Sequence, residues 1–396
     1  MFRRGLFYSF LSIYLRFYLG LNVTETTLFA TLPMVLNVIF QTYVWGGLSD
    51  RRQLRRSLII WGELLAGVGT VLVWYAHTLT GRGHTAGYVI ILGLSLIEIF
   101  WSMSNVGWSA LISDIYRAEE RSAVQGRLTS IGGIGRILGI WIGGLLYDGL
   151  GLRYNGWGFQ EGALFFVASG AMFISVIPML FVPEGGIKKG GMADAASAEG
   201  AAEGSRSAFR LFLAAMVLIN FGRNSIAIII SQYLMLGSGF ALSSGMISHI
   251  VNMQSVATIM AGLAVGRLVE KFGNHRVLVW GAGLAVLSLA VFSLSAGLEW
   301  MFAGNFIRGV SEALIMAASY ALASVLIPAE RRGRGFGLFN ATFFLSWGLA
   351  GTFIAGPLID GCIAAGAPET TAYRAAFAAA GVMTAAGGLL LFKVRP

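Results

Sequence analysis

Cysteine is almost missing from this chain. Cys362 stands alone in 396 residues, which excludes an intramolecular disulfide and a cysteine-built metal centre. Charge is scarce as well: Asp, Glu, Lys and Arg make up 12% of the chain, about half of the roughly 25% found in soluble globular proteins. No Gly-Lys-Ser/Thr phosphate cradle occurs, so ATP is not expected as an energy source. No nucleophile–base or metal-ligand constellation stands out either, so neither an enzyme nor a bound cofactor or metal is expected. Arg3 and Arg4 precede an apolar run that lacks a small-residue cleavage site, and no cleavable signal is expected.

Apolar residues fill the space. They make up 56% of the chain, and mean hydropathy is +0.73. Glycine is abundant, at 54 residues, as closely packed membrane helices require. Stretches long enough to cross a bilayer, about 20 residues each, fall near 5–20, 26–46, 57–78, 86–112, 122–148, 162–182, 209–236, 244–268, 276–296, 299–326, 335–361 and 371–393. The reading is an all-α integral membrane protein with twelve spans. Residues 184–208 differ: Glu184-Gly185-Gly186-Ile187-Lys188-Lys189 leads into an Ala/Gly/Ser/Glu stretch that cannot bury a core and reads as a linker. The expected organisation is a six-helix bundle at 1–183, the linker, and a second six-helix bundle at 209–396.

The halves repeat each other. Shifted by 219, Phe2, Arg4, Ser12, Tyr14 and Leu15 meet Phe221, Arg223, Ser231, Tyr233 and Leu234. Further on, Gly46, Leu48, Asp50 and Arg51 are answered by Gly266, Leu268, Glu270 and Lys271. Ala118-Glu119-Glu120-Arg121 is answered by Ala329-Glu330-Arg331-Arg332, and Leu145-Leu146-Tyr147-Asp148-Gly149 by Pro357-Leu358-Ile359-Asp360-Gly361. Parallel repeats of this sort belong to transporters.

Lysine and arginine set the expected orientation. Of the 28, 19 fall in one set of loops and at the C-terminus, while Arg82, Arg153 and Arg374 fall in the opposite loops. Both termini and the linker are therefore expected in the cytoplasm. The net charge of +9 is spread over short loops, so no nucleic-acid partner is expected.

The motifs, the repeat and their places together resemble the major facilitator superfamily over the whole chain. That family carries Gly-x-Leu-x-Asp-Arg-x-Gly-Arg-Arg between its second and third helices. Gly46-Gly47-Leu48-Ser49-Asp50-Arg51-Arg52-Gln53-Leu54-Arg55-Arg56 keeps Gly, Leu, Asp and Arg but has Gln53 for the later Gly. The resemblance makes Gly46, Leu48, Asp50 and Arg51, with Gly266, Leu268, Glu270 and Lys271, gating loops. Proton antiporters of the family carry Gly-x-x-x-Gly-Pro-x-x-Gly-Gly on the fifth helix. Here Gly135, Gly139, Gly143 and Gly144 are present, with Ile140 for proline. They read as helix-packing glycines, as do Gly351 and Gly356 in the second half. The antiporters' fourth-helix arginine is absent from Glu98–Ala110. Aligned on the repeat, the seventh helix starts about a dozen residues before Phe221 whereas one residue precedes Phe2. The first helix is thus expected to lack its opening part, which would put Arg4 inside the membrane.

In the family, helices one, four, seven and ten line a central cavity. Their charges here are Arg4, Glu98, Arg223, Arg308 and Glu312. An intramembrane charge is costly and marks a site by default. Arg4 and Arg223 are expected to face each other, and two guanidinium forks suit a carboxylate or phosphate. The candidate substrate-binding set is Arg4, Tyr14, Glu98, Asn105, Asn220, Arg223, Asn224, Gln232, Arg308 and Glu312. Glu98 and Glu312 are the proton-coupling candidates. The bland alternative is structural pairing: Arg308 with Glu312 at i,i+4, Arg4 and Arg223 with Glu98 and Glu312, and Glu63 with Arg136. His249 is expected to be a hydrogen-bonded helix-packing residue.

The expected protein is a secondary transporter that carries a small polar solute, an anionic one being suggested by the two arginines, by alternating access, with a proton or other coupling ion. It is expected as a monomer in the bilayer of a prokaryotic cytoplasmic (inner) membrane. The runner-up is proton-coupled multidrug efflux, favoured by aromatic and Met content. A non-translocating receptor ranks third.

Overall fold

The computed structural model describes residues 1–115, 118–185, 203–294, 297–327 and 332–394, without the side chains of Asp50, Ser113, 118–127, 129–130, 203–206 and 332–334. The described residues form helices and no strand. They divide into two compact units, Met1–Asp194 and Ala195–Pro396.

The first unit holds six main helical segments, with a short helix, Trp157–Gln160, between the last two. α1 runs Phe2–Tyr8, breaks at Ser9 and Phe10, and resumes through Leu11–Ile13 into a π turn, Tyr14–Tyr18. α2 is Val23–Phe40, a π turn Gln41–Trp45, and Gly46–Arg52. α3 is Arg56–Leu79, α4 His84–Ile115, α5 Ala118–Tyr147 and α6 Ala163–Met179. The second unit repeats the plan. α7 is Glu203–Ser225 and, after a break, Ile229–Met235. α8 is Ser244–Phe272, α9 Asn274–Leu294 and α10 Leu298–Leu326. α11 is Arg332–Ala350, a π turn Gly351–Ala355 and Gly356–Ala364, and α12 is Glu369–Leu391. The breaks in α1 and α7 fall at matching places: Ser9 plus 219 is Ile228.

Nine of these segments are long and apolar enough to cross a membrane, and Ile131–Tyr147 and Ala163–Met179 are shorter apolar helices. With the broken α1 they make up the twelve spans read from the sequence. Local chemistry fixes several ends. Asn22 caps α2 in a capping box: its side chain accepts from Glu25 N at 2.8 Å, and Glu25 Oε2 accepts from Asn22 N at 2.8 Å, which satisfies two of the otherwise orphaned amides. Gln53 stops α2 at φ 53°, a left-handed position that a glycine would adopt without strain. Gly273 ends α8 at φ 83°.

Within the first unit the main helix pairs are α1 on α5, α3 on α4 and α6, and α2 on α4. In the second unit the pairs are α7 on α12 and α11, α8 on α10, and α9 on α10 and α12. A Cβ on Gly139 would strike the Phe2 carbonyl, and one on Gly5 the Arg136 carbonyl. The glycines therefore let the α1 and α5 backbones touch, as small residues do between membrane helices. Gly143 meets Phe10 and Leu6, while Gly135 lies more loosely against Phe2. Gly351 and Gly356 are buried at the π turn of α11. Large exposed side chains such as Leu72, Ile131, Leu263 and Phe353 suit contact with lipid.

Glu184, placed at the head of the expected linker, is anchored to the first unit. Its carboxylate accepts from Arg55 N (2.9 Å), Ser57 N (3.0 Å) and Ser57 Oγ (2.8 Å), and pairs with Arg56 at 3.3 Å. α7 begins at Glu203, ahead of the expected Phe209. The rest of the linker, 186–202, lies outside the described residues.

Candidate functional site

In the first unit the intramembrane carboxylate is fully engaged. Glu98 on α4 accepts from Arg3 Nη2 at 3.1 Å on one oxygen and from Asn37 Nδ2 of α2 at 2.8 Å on the other. Trp101, one turn further along α4, lies under two guanidiniums, with Arg3 Cζ 4.5 Å and Arg4 Cζ 5.0 Å from its ring centre. A charge over an indole face adds attraction where water is scarce. The expected pairing of Arg4 with Glu98 is therefore corrected: Arg3 makes the ion pair. Neighbours on a helix point about 100° apart, so one of two adjacent arginines faces the acid. Arg4 remains at the cluster through Trp101, and its buried Nε has no hydrogen-bond partner among the described residues. Arg3, Tyr8, Phe29, Thr70 and Glu98 line a cavity of about 30 Å³, room for roughly two waters.

The second unit arranges its arginine differently. Arg223 Nε donates to Asn220 Oδ1 at 3.0 Å, one turn back on α7. Asn220 Nδ2 donates to Thr342 Oγ1 of α11 at 3.1 Å, and Asn224 Nδ2 to Ser346 Oγ at 2.9 Å. Both asparagines are thus anchored to α11, and Asn220 aims the guanidinium. Arg223 also lies over Phe343 at 5.6 Å. The charge of Glu312 acts on Arg223, while Glu312 Oε2 accepts from Gln254 Nε2 of α8 at 2.6 Å. Arg223 and Arg308 line one small cleft with Ser288 and Ser311. A single cleft thus gathers two cations and two hydroxyls.

The remaining candidates lie elsewhere. Tyr14 and Gln232 are wholly buried. Tyr14 Oη donates to Gln160 Oε1 at 2.7 Å, and Gln232 Oε1 accepts from Tyr373 Oη at 2.7 Å. Asn105 is half-buried about two turns beyond Glu98, and its carbonyl accepts from Ser109. Glu63 accepts from Ser104 Oγ at 2.7 Å. Among the described residues no ion pair joins it to Arg136, which corrects that expectation: the short α4 serine lies nearer than the arginine of α5. His249 is exposed on α8 and is not the buried packing residue expected.

At the loop between α2 and α3, the Asp50 side chain lies outside the described residues. Arg55 is the organising residue there, only 4% exposed. It donates to Asp114 Oδ2 of α4 at 3.0 Å, to Ser49 O at 2.7 Å and to the Ser49 hydroxyl. Burial works against ionisation of Glu184, but the amides and hydroxyl of Ser57 and Arg55, with the Arg56 charge, outweigh it and hold its carboxyl below the usual range. In the second copy, Gly266 and Glu270 are exposed and Leu268 half-buried, and Lys271 lies over the Phe272 ring at 5.3 Å.

Sequence reasoning missed Arg3, Asn37, Trp101, Gln254 and Arg55. A polar residue inside an apolar span was the available signal for Asn37 and Gln254.

Two bundles of apolar helices, each with charges buried among them, define a multi-pass membrane transporter. A family model described as Major Facilitator Superfamily matches residues 1–212 and again 211–396; the chain belongs to that superfamily. Members of that superfamily are transporters and not enzymes. The chain is 26% identical over 310 residues to multidrug resistance protein MdtG of Rahnella sp. (strain Y9602), covering 76% of this chain and 68% of that protein. It is 24% identical over 296 residues to MdtG of Proteus mirabilis, covering 74% and 69%. The fold also matches solved structures. A bacterial homolog of the human lysosomal transporter Spinster superposes with TM-score 0.75 at 14% identity over 99% of this chain and 93% of that one. The nucleoside transporter NupG does so with TM-score 0.71 at 12% identity, over 99% and 95%.

Proposed function

We propose that this transporter carries a small anionic solute by alternating access, a carboxylate or phosphate being the group recognised. The observation that carries this reading is the Arg223 guanidinium, whose described hydrogen bond goes to a neutral asparagine and which shares a cleft with Arg308, Ser288 and Ser311. A guanidinium aimed by a neutral partner keeps its fork for an anion, and two arginines suit one anionic head group, while the Ser288 and Ser311 hydroxyls donate to the Ala285 and Gly281 carbonyls. The cleft holds about 10 Å³ in this state, room for about one water, so solute entry requires the helices around it to part. Glu98 and Glu312 supply carboxylates for a coupling proton. The distribution of basic residues supports both termini in the cytoplasm; a monomer in a cytoplasmic (inner) membrane is what membership of the family suggests.

A second reading, export of amphipathic drugs, is favoured by the MdtG relatives, which are named for multidrug resistance. One experiment separates the two. Thermal unfolding of the detergent-purified protein is followed against anionic, neutral and cationic solutes, with Arg223→Ala alongside. A bound solute at a hundredfold excess over Kd stabilises by about 2.7 kcal/mol. The expected outcome is stabilisation by acids or phosphates that disappears in the variant. Stabilisation by cationic or neutral amphiphiles, unchanged in the variant, rejects the anion reading in favour of drug export.

A further inference from the structure

His77 is wholly buried in the last turn of α3, apart from both candidate clusters. Its Nδ1 lies 2.6 Å from the Trp74 carbonyl oxygen. A carbonyl only accepts, so Nδ1 carries a hydrogen. Its Nε2 lies 3.3 Å from Tyr14 Oη. Tyr14 has one hydroxyl hydrogen, and it points to Gln160 Oε1 at 2.7 Å. The oxygen therefore turns a lone pair toward His77, and Nε2 needs a hydrogen of its own to make that contact. With the Gln160 amide in this orientation, the arrangement closes when both ring nitrogens are protonated.

We propose that His77 is a proton-binding site, with Tyr14 and Gln160 as the groups that register its occupancy. When the proton is bound, Nδ1–H donates to Trp74 O, Nε2–H to Tyr14 Oη, and Tyr14 O–H to Gln160. When it leaves from Nε2, the Tyr14 hydroxyl turns to donate to that nitrogen. The Gln160 amide then rotates to donate an N–H to Tyr14, since either end of an amide can face the same partner. Both states keep every partner hydrogen-bonded, and neither requires a side chain to leave the core.

Three further observations support a charged state in so buried a place. The C-terminal end of a helix carries partial negative charge and favours a cation in its last turn. The Phe165 ring stacks on the imidazole at 5.7 Å, within cation–π range. The repeat supplies a counterpart as well: Tyr233, the copy of Tyr14, accepts from Arg374 Nε at 3.1 Å. The tyrosine hydroxyl at this point of the second copy already receives a permanent cation, where the first copy has a titratable one.

The surroundings hold few other ionisable groups. Tyr14 feels Tyr18 of α1, Tyr147 of α5, Tyr154 and the charge of Arg82, and Arg82 sits over the Tyr18 ring at 5.0 Å. Glu161, next to Gln160, accepts from Tyr154. On α4, Tyr88 donates to Glu25 and His84 lies 3.8 Å from the same carboxylate. Tyr14 opens the π turn of α1, so the proton state of His77 is read out on α1. The binding site rests on this geometry, and its use in coupling rests on the transporter reading.

The test is nitrogen-15 NMR of the full chain labelled at its four histidines, in nanodiscs, with His77→Gln to assign the signal. Between about pH 8 and 5 the His77 signal is expected to pass from a neutral ring protonated at Nδ1 to a doubly protonated ring. Gln160→Met, which leaves the Tyr14 hydroxyl no acceptor but His77, is expected to hold the ring neutral down to the lowest pH. Gln160→Glu is expected to keep it charged to the highest. A His77 ring that stays in one neutral state throughout in the unaltered protein overturns the proposal, as does a titration unmoved by both Gln160 substitutions. The signals are read without any solute, so this result is independent of the solute-binding test.

Discussion

The two halves place an arginine at the same point of the repeat and then treat it in opposite ways. In the first half the residue before it, Arg3, is spent on Glu98. In the second half the matching residue is Gly222, where a Cβ would strike Thr384 and the Ala380 carbonyl of α12. One residue after it, Gly5 nests on α5, while its counterpart Asn224 bonds to Ser346 of α11. The first half thus neutralises a charge and packs backbone against backbone. The second half packs where the first is charged, and holds its arginine with amides. Sequence repetition preserves the skeleton, whereas single substitutions beside the arginine decide how each half holds it.

The largest expected effect tests that neutralisation. Glu98→Gln leaves Arg3 without its counter-charge, and breaking a buried pair costs about 3–5 kcal/mol. Glu312→Gln keeps an acceptor for Gln254 Nε2 and removes the charge that acts on Arg223, and should cost about 1–3 kcal/mol. Chemical unfolding of both variants in detergent measures the gap, and equal losses would erase the distinction between halves. Next comes packing. Gly139→Val forces α1 from α5 and should cost about 1–3 kcal/mol, read as a lowered melting temperature; an unchanged value would mean that the backbones do not touch. Tyr233→Phe, which removes one acceptor from Arg374, should cost about 1 kcal/mol, and Tyr14→Phe at pH 8 a similar amount; a clear excess in either half would show that its tyrosine contact carries more than one hydrogen bond.

The smallest effect concerns pH. Glu184 has its carboxyl held below the ordinary range, so it is ionised in the fold before it would be in the unfolded chain. Its contribution is full above the usual carboxylate pKa and fades as pH falls through the lower folded value. Glu184→Gln should lower stability at neutral pH by about 1 kcal/mol and flatten the acid side of the stability profile. A variant whose loss is equal at pH 3 and pH 7 would contradict this.

Much of the fold was legible because twelve apolar runs and a repeat leave few alternatives. The placement of charge on α1, α4, α7 and α10 was legible for the same reason: apolar spans make each charge conspicuous. Which arginine meets Glu98 was not, since adjacent residues differ only by helix phase and the break at Ser9 follows within two turns. The supporting amides and hydroxyls of α2, α8 and α11 were hidden because they arrive from distant sequence. The second-to-third helix loop was read as topology and gating, and the roles of Arg55 and Glu184 emerged only from contacts 59 and 129 residues away.

Among the described residues, α1, α2 and α11 each carry a π turn. Such a turn holds one residue more than its α-helical neighbours, and one residue is about 100° of rotation. The two ends of each rod are therefore out of phase with a single helical wheel. Because the wider turn absorbs its extra residue, taking out one residue from Gln41–Trp45 would let the rod run on as plain α-helix with Gly46–Arg52 still facing as it does.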